Sequence, residues 1–394
     1  MNKYYRLLIH ILLIAVLAAC GRTTESPPAI SGMGPNLAIS PSGTAVISYI
    51  ATAVYGHSLQ FHVVKDGMWG PAQTAATGKN WFVNWADFPS VTPITDKMWA
   101  AHWLVRREAG GYAYDVHASV SEDAGRTWST SFLLHSDGTD TEHGFVTLYP
   151  AGDQIGAVWL DGRNMVGESE SLRGMTLRSA HFSSSGVASN EQVVDNLTCD
   201  CCQTDVAITR DGPVAVYRNR TNDEIRDIFI SRYVDGAWQP GQIVHDDGWN
   251  IAGCPVNGPV VKATGSAVVV SWFTSANGEP KIKTAWSYDA GRTFAKPIVV
   301  AGKNVTGYVG SALISDDVVV VSWVCKASPE RNAICYQEVN ADGSLGSLNF
   351  LETQGGVARM SVPQLAKVDD DLLFVWTDKV DEQSQIKSAV VRLP

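Results

Sequence analysis

The stretch AVVVSW, residues 267–272, is a run of valines closed by an aromatic, with Gly265 just before it. β-Branched and aromatic residues suit a pleated strand, and an unbroken apolar run suits a strand buried on both faces. The same phrase recurs as TAVISY, MWAAHW, IGAVW, GPVAVY, VVVVSW and LLFVW, which close on Tyr49, Trp103, Trp159, Tyr217, Trp323 and Trp376. Counting Trp272, the closing aromatics stand 54, 56, 58, 55, 51 and 53 residues apart. Around each lies one unit: a strand, a Gly/Asp turn, the aromatic-ended strand, a polar loop, a third strand, a second turn and a fourth strand. That period is the one expected of propeller blades.

A single unit of this kind is too thin to bury both faces of its sheet, so stability has to come from stacking units around a ring. The sequence therefore predicts an all-β, seven-bladed β-propeller of four-stranded blades. Only QIKSAVVRL follows Trp376, so the last unit lacks its fourth strand. Residues before Asn36 would have to supply it, and they are proline-rich. Six blades with one atypical unit is the alternative count.

The 394 residues are 45% hydrophobic, include 35 glycines and 13 tryptophans, and show no amphipathic helical periodicity of any length. The formal charge of -10 argues against nucleic acid as a partner. Lys3 and Arg6 precede an apolar run from Leu7 to Leu17, the layout of a secretory signal. Leu17-Ala18-Ala19-Cys20 resembles the bacterial lipobox, which implies removal of residues 1–19, a lipidated Cys20 and, with Gly21 next, sorting to the outer membrane. Residues 20–35 then read as a flexible tether carrying Pro27 and Pro28, and residues 36–394 as the propeller.

Two turns between third and fourth strands are unusually well formed: SEDAGRTW (121–128) and SYDAGRTF (287–294). Each offers an aspartate to accept backbone hydrogens, a glycine for positive φ and an aromatic to bury. They match the Asp-box, and on them the chain resembles the sialidase-like superfamily of bacterial-neuraminidase-repeat propellers. The resemblance implies carbohydrate recognition on the face opposite these turns, with exo-sialidase-type glycoside hydrolysis or non-catalytic glycan binding as the alternatives. It carries no cofactor. The Phe/Tyr-Arg-Ile-Pro segment that sialidases place near their start is absent, and residues 36–76 contain no arginine.

On the opposite face the inter-blade loops and second-to-third-strand loops gather aromatics, arginines and acids. Trp81, Trp85 and Trp249 are candidate sugar platforms, and Arg163, Arg218, Arg220 and Arg359 candidate grips for an acidic sugar. The resemblance to sialidases asks for a tyrosine nucleophile, a glutamate partner and an aspartic acid, for which loop position offers Tyr308, Glu142 and Asp87. The bland reading makes these arginines partners of neighbouring acids.

Of seven cysteines, Cys199, Cys201 and Cys202 cluster in the loop entering blade four, and Cys254 lies in the loop entering blade five. Setting Cys20 aside leaves an even six, which in an exported protein favours disulfides. Cys325 and Cys335 bracket a hairpin and are expected to pair; two further bridges are expected at the rim, one joining Cys254 to the cluster. The alternative is a thiolate site for copper or zinc with His143 or Met360 nearby, although C-x-C-C is not a zinc-finger spacing.

Overall fold

The computed structural model describes residues 30–65, 67–166, 173–329, 331–351, 353, 362–380 and 383–393. Seven antiparallel sheets surround a central channel, each with at least four strands. The first strands of blades one to seven are Met33–Ile39, Ser90–Pro93, His143–Ala151, Asp205–Thr209, Val260–Thr264, Val305–Ser315 and Gln364–Val368. They line a cavity of about 620 Å³ along the axis. The second strands are the repeated phrases: all eight residues of Ala267–Thr274 are buried, and every closing aromatic is under 7% exposed. Buried apolar residues fall into seven clusters, one for each junction between neighbouring blades. Each blade thus lends its faces to two cores and owns neither. Fully burying one such valine stabilises by about 1.5–3 kcal/mol.

The ring closes through residues that the sequence assigns to the tether. Ile30–Ser31 pairs antiparallel with Ile386 and Gln385 of the last strand, and Met33–Ile39 follows directly as the first strand of blade one. Seven complete blades result, and residues 30–35 belong to the propeller. Two residues of ladder tie the edge of the last strand at Gln385 and Ile386. Gly32 makes the crossing between blades: a Cβ there would stand 2.6 Å from the Tyr49 ring.

Both Ser-x-Asp-x-Gly-x-Thr turns fold alike. Asp123 accepts the Thr127 N–H at 2.8 Å and its hydroxyl at 2.7 Å; Asp289 accepts the same groups of Thr293 at 2.9 and 2.7 Å. Ser121 and Ser287 accept the N–H of Gly125 and Gly291 at 2.8 and 2.9 Å. Positive φ is shared between the glycine and the alanine before it, Ala124 and Ala290, both at 58°. A Cβ on Gly125 would meet Phe61 at 2.8 Å, and one on Gly291 would meet Ile230 at 2.9 Å. Each turn is therefore pressed onto the preceding blade.

Candidate functional site

Asp87, from the loop entering blade two, and Glu142, just ahead of blade three, meet at Tyr114, which opens the strand Tyr114–Ser121. The Tyr114 hydroxyl oxygen lies 2.8 Å from Asp87 Oδ2 and 2.8 Å from Glu142 Oε1. The Phe145 N–H donates to Asp87 Oδ1 at 2.8 Å, from a backbone at φ 54°. Gly144 permits this approach, since a Cβ there would fall 1.9 Å from Asp87 Oδ2. Phe82 stacks on the Tyr114 ring at 4.0 Å and 9°.

A phenol has one proton, and two carboxylates would each need it. Three oxygens at these separations therefore hold a second proton between them, one carboxyl remaining protonated. Burial pushes Asp87 up to about 7. Glu142 also rises to about 7, through burial first and then the nearby charges of Asp87 and Asp200. Burial, reinforced by both carboxylates, drives Tyr114 well up. Tyr114 and Asp87 are sealed from solvent, whereas Glu142 is half-buried and is the member that faces outward.

A second polar network backs Glu142. His143 directs Nδ1 to the Tyr114 carbonyl at 3.1 Å and Nε2 to Asp137 at 3.2 Å. His135 stacks on it at 3.7 Å and meets Asp137 at 2.8 Å. Although burial pushes Asp137 up, hydrogen bonds from the two histidines hold its carboxyl well below the usual range. Asp161 is forked by Arg163 at 2.8 and 2.7 Å. Ligand-type atoms cluster at Asp115/His135/His143, at Asp137/His143/Asp161 and at Cys199/Cys201/Cys202. In the first two, however, the carboxylates already neutralise arginines or bind the histidines.

Five of the ten residues chosen from loop position are engaged within the fold. Trp81 is 5% exposed and stacks on Trp103 at 6.0 Å within the core between blades one and two. Trp249 is equally buried, under the Arg218 guanidinium at 4.7 Å and against Phe273. Arg218 itself is 2% exposed and donates to the carbonyls of Arg226, Asn257 and Phe273, which stitches adjacent blades together. Arg163 is held by Asp161 and Glu191, and Arg220 by Asp200 and Glu224. Arg359 and Met360 lie outside the described residues, as does Cys20. Arg163 and Arg220 thus have acidic partners and Arg218 backbone carbonyl partners, as buried or half-buried polar groups require.

Tyr308 and Trp85 fare differently. They meet edge to face at 5.9 Å, one from blade six and one from the loop entering blade two, so the contact spans the channel mouth. Tyr308 sits at φ 56° with its N–H donated to Asn257 Oδ1 at 2.7 Å. The hydroxyl between Asp87 and Glu142 is that of Tyr114. Loop position does not point to Tyr114, which begins a strand.

Cys325 and Cys335 are bonded, and so are Cys201 and Cys254, which ties the loops entering blades four and five. The first pair lies on neighbouring antiparallel strands, with Cys335 opposite Trp323 and Cys325 opposite Ala333. The expected third bridge is absent: Cys199 and Cys202 are buried thiols with Sγ atoms 3.1 Å apart. His143, spent on Tyr114 and Asp137, is no ligand for them.

No family model and no curated protein matches this sequence. Solved structures do resemble it. Polysaccharide lyase Uly1 superposes with a TM-score of 0.54 at 10% identity, over 93% of this chain and 91% of that one. A neuraminidase-like protein from A/bat/Guatemala/164/2009 gives 0.48 at 11% identity, over 94% and 92%. The K499G mutant of NanB sialidase from Streptococcus pneumoniae gives 0.44 at 10%, over 94% and 70%. With its seven blades, the chain has a β-propeller fold like that of polysaccharide lyase Uly1. At such identities the likeness speaks for the fold alone.

Proposed function

We propose that this protein is a carbohydrate-active propeller that binds a neutral glycan at the channel mouth and hydrolyses it with Glu142 as general acid. The observation that carries the reading is the Tyr114 hydroxyl lying 2.8 Å from both Asp87 Oδ2 and Glu142 Oε1, which calls for one of the two carboxyls to be protonated. A carboxyl kept protonated near neutral pH is what a leaving glycosidic oxygen requires. Glu142, half-buried and facing outward, gives its proton to the leaving oxygen and is recharged from Asp87 through the Tyr114 hydroxyl; the water that takes up the glycosyl group returns one proton to the three-residue group. Trp85 and Tyr308 offer aromatic faces at the mouth for a sugar ring. Arg107, Arg163, Arg220 and Arg226 on this face are each paired to an acid, which favours a glycan without a carboxylate over a sialoside. The chain is anchored through a lipidated Cys20 to the outer membrane in this proposal; palmitate labelling lost in C20S tests that part.

The experiment is a panel of fluorogenic glycosides, neutral and sialylated, with wild type and E142Q. Turnover of a neutral glycoside that collapses in E142Q supports the reading. Turnover of a sialoside would restore the exo-sialidase alternative, and glycan binding without any turnover would leave a non-catalytic lectin-like propeller.

A further inference from the structure

The rim carries a second chemistry, independent of the glycan site. Four cysteines form one continuous group in two layers. The outer layer is the Cys201–Cys254 disulfide, with Cys254 exposed. The inner layer is a dithiol, Cys199 and Cys202, at 1% and 2% exposure. Their spacing is Cys-x-x-Cys, a signal that reading the cluster as C-x-C-C passes over. Cys199 Sγ stands 3.1 Å from Cys202 Sγ on one side and 4.0 Å from Cys201 Sγ on the other. Arg226, itself buried, donates Nη1 to Cys199 Sγ at 3.3 Å.

We infer that these four residues are a thiol–disulfide exchange site in which Cys199 passes the disulfide from the exposed Cys201–Cys254 pair to the buried Cys199–Cys202 pair and back. In the forward direction the Cys199 thiolate attacks Cys201 Sγ, forming the Cys199–Cys201 bond and expelling Cys254 as thiolate. Cys202 then gives up its proton to Cys254, attacks Cys199 Sγ, and releases Cys201 as thiolate. One disulfide is broken and one formed, one negative charge is present before and after, and no external oxidant or reductant is consumed. The resulting state unties the loops of blades four and five and presents an exposed thiol at Cys254.

Roles follow from surroundings. A hydrogen bond from Cys202 and the backbone of Cys201, with the charges of Arg218 and Arg226, bring Cys199 down to about 6 against the opposing effect of burial. Burial, and the bond it gives to Cys199, push Cys202 well up. The first is therefore the attacking thiolate and the second the resolving thiol. A soft-metal site is less suited to this geometry, because Cys201 is engaged in its disulfide and only two thiols remain.

The test is thiol mapping of the full chain, purified without reductant, by acid quench, differential alkylation and mass spectrometry across a series of thiol–disulfide buffers. The expected result is a population with the Cys199–Cys202 bridge and alkylated Cys254, Cys325–Cys335 staying intact throughout. In C199S, Cys254 labelling falls by at least about 10-fold while the Cys201–Cys254 tie and the melting temperature are kept; R226Q moves the exchange to higher pH. Three results overturn the inference: Cys254 never labelling short of global reduction, both rim pairs oxidised at once with no free thiols, or a stoichiometric metal that protects Cys199 and Cys202 from alkylation.

Discussion

The two faces of the propeller obey different rules. On one, the turns at residues 121–128 and 287–294 repeat the same bonds to within about a tenth of an ångström, although they lie in blades two and five. On the other, polar groups of blades two and three interlock through Tyr114, His143 and Asp161. The turn face is local: each aspartate bonds residues within four positions of itself. The loop face is assembled from residues 27 and 28 positions apart at Tyr114, and from 53 apart at the outer disulfide. Local bonds make blades; distant ones make a site.

Breaking this contrast gives graded outcomes. The largest effect falls on the loop face: E142Q should lower turnover by roughly 100-fold or more, the scale of a lost general acid, with the fold intact by circular dichroism. An unchanged rate would end the proposed role of Glu142. Next, starting the chain after Ser31 removes the strand that covers Gln383–Arg392. The lost ladder and Ile30 burial should cost about 2 kcal/mol in urea titration and expose an edge prone to self-association.

On the turn face, G125A or G291A should each destabilise by about 1–3 kcal/mol, since both sit at positive φ beside a packed side chain. Catalysis and binding should stay as in wild type, which separates the faces by experiment. Smaller still is a pH effect. Asp87 and Glu142 have folded pKa values near 7, above the ordinary carboxylate value near 4. Between about pH 4 and 7 the unfolded chain releases protons that the fold retains, so stability present below pH 4 declines as pH rises through 7. E142Q should flatten that slope. Finally, W81F should leave glycan binding unchanged, because Trp81 lies in a core rather than at the mouth.

Of the site, Asp87 and Glu142 were legible because the blade period assigns their loops to one face. Tyr114 was not, being one apolar-looking residue at the start of a strand. Nor could sequence tell Trp85, at the mouth, from Trp81, four positions earlier and buried. Arg218 shows the same limit: only the structure reveals that its guanidinium is consumed by three backbone carbonyls.

By itself the sequence determined the strand-forming runs and their period, leaving seven or six as the blade count, because the aromatic-ended apolar runs and their turns are written at short range and repeat. Tertiary structure alone decided how the ring closes, which cysteines bond and which polar side chains share protons. Those outcomes depend on distances between residues far apart in the chain, and such distances are set only when the blades stack.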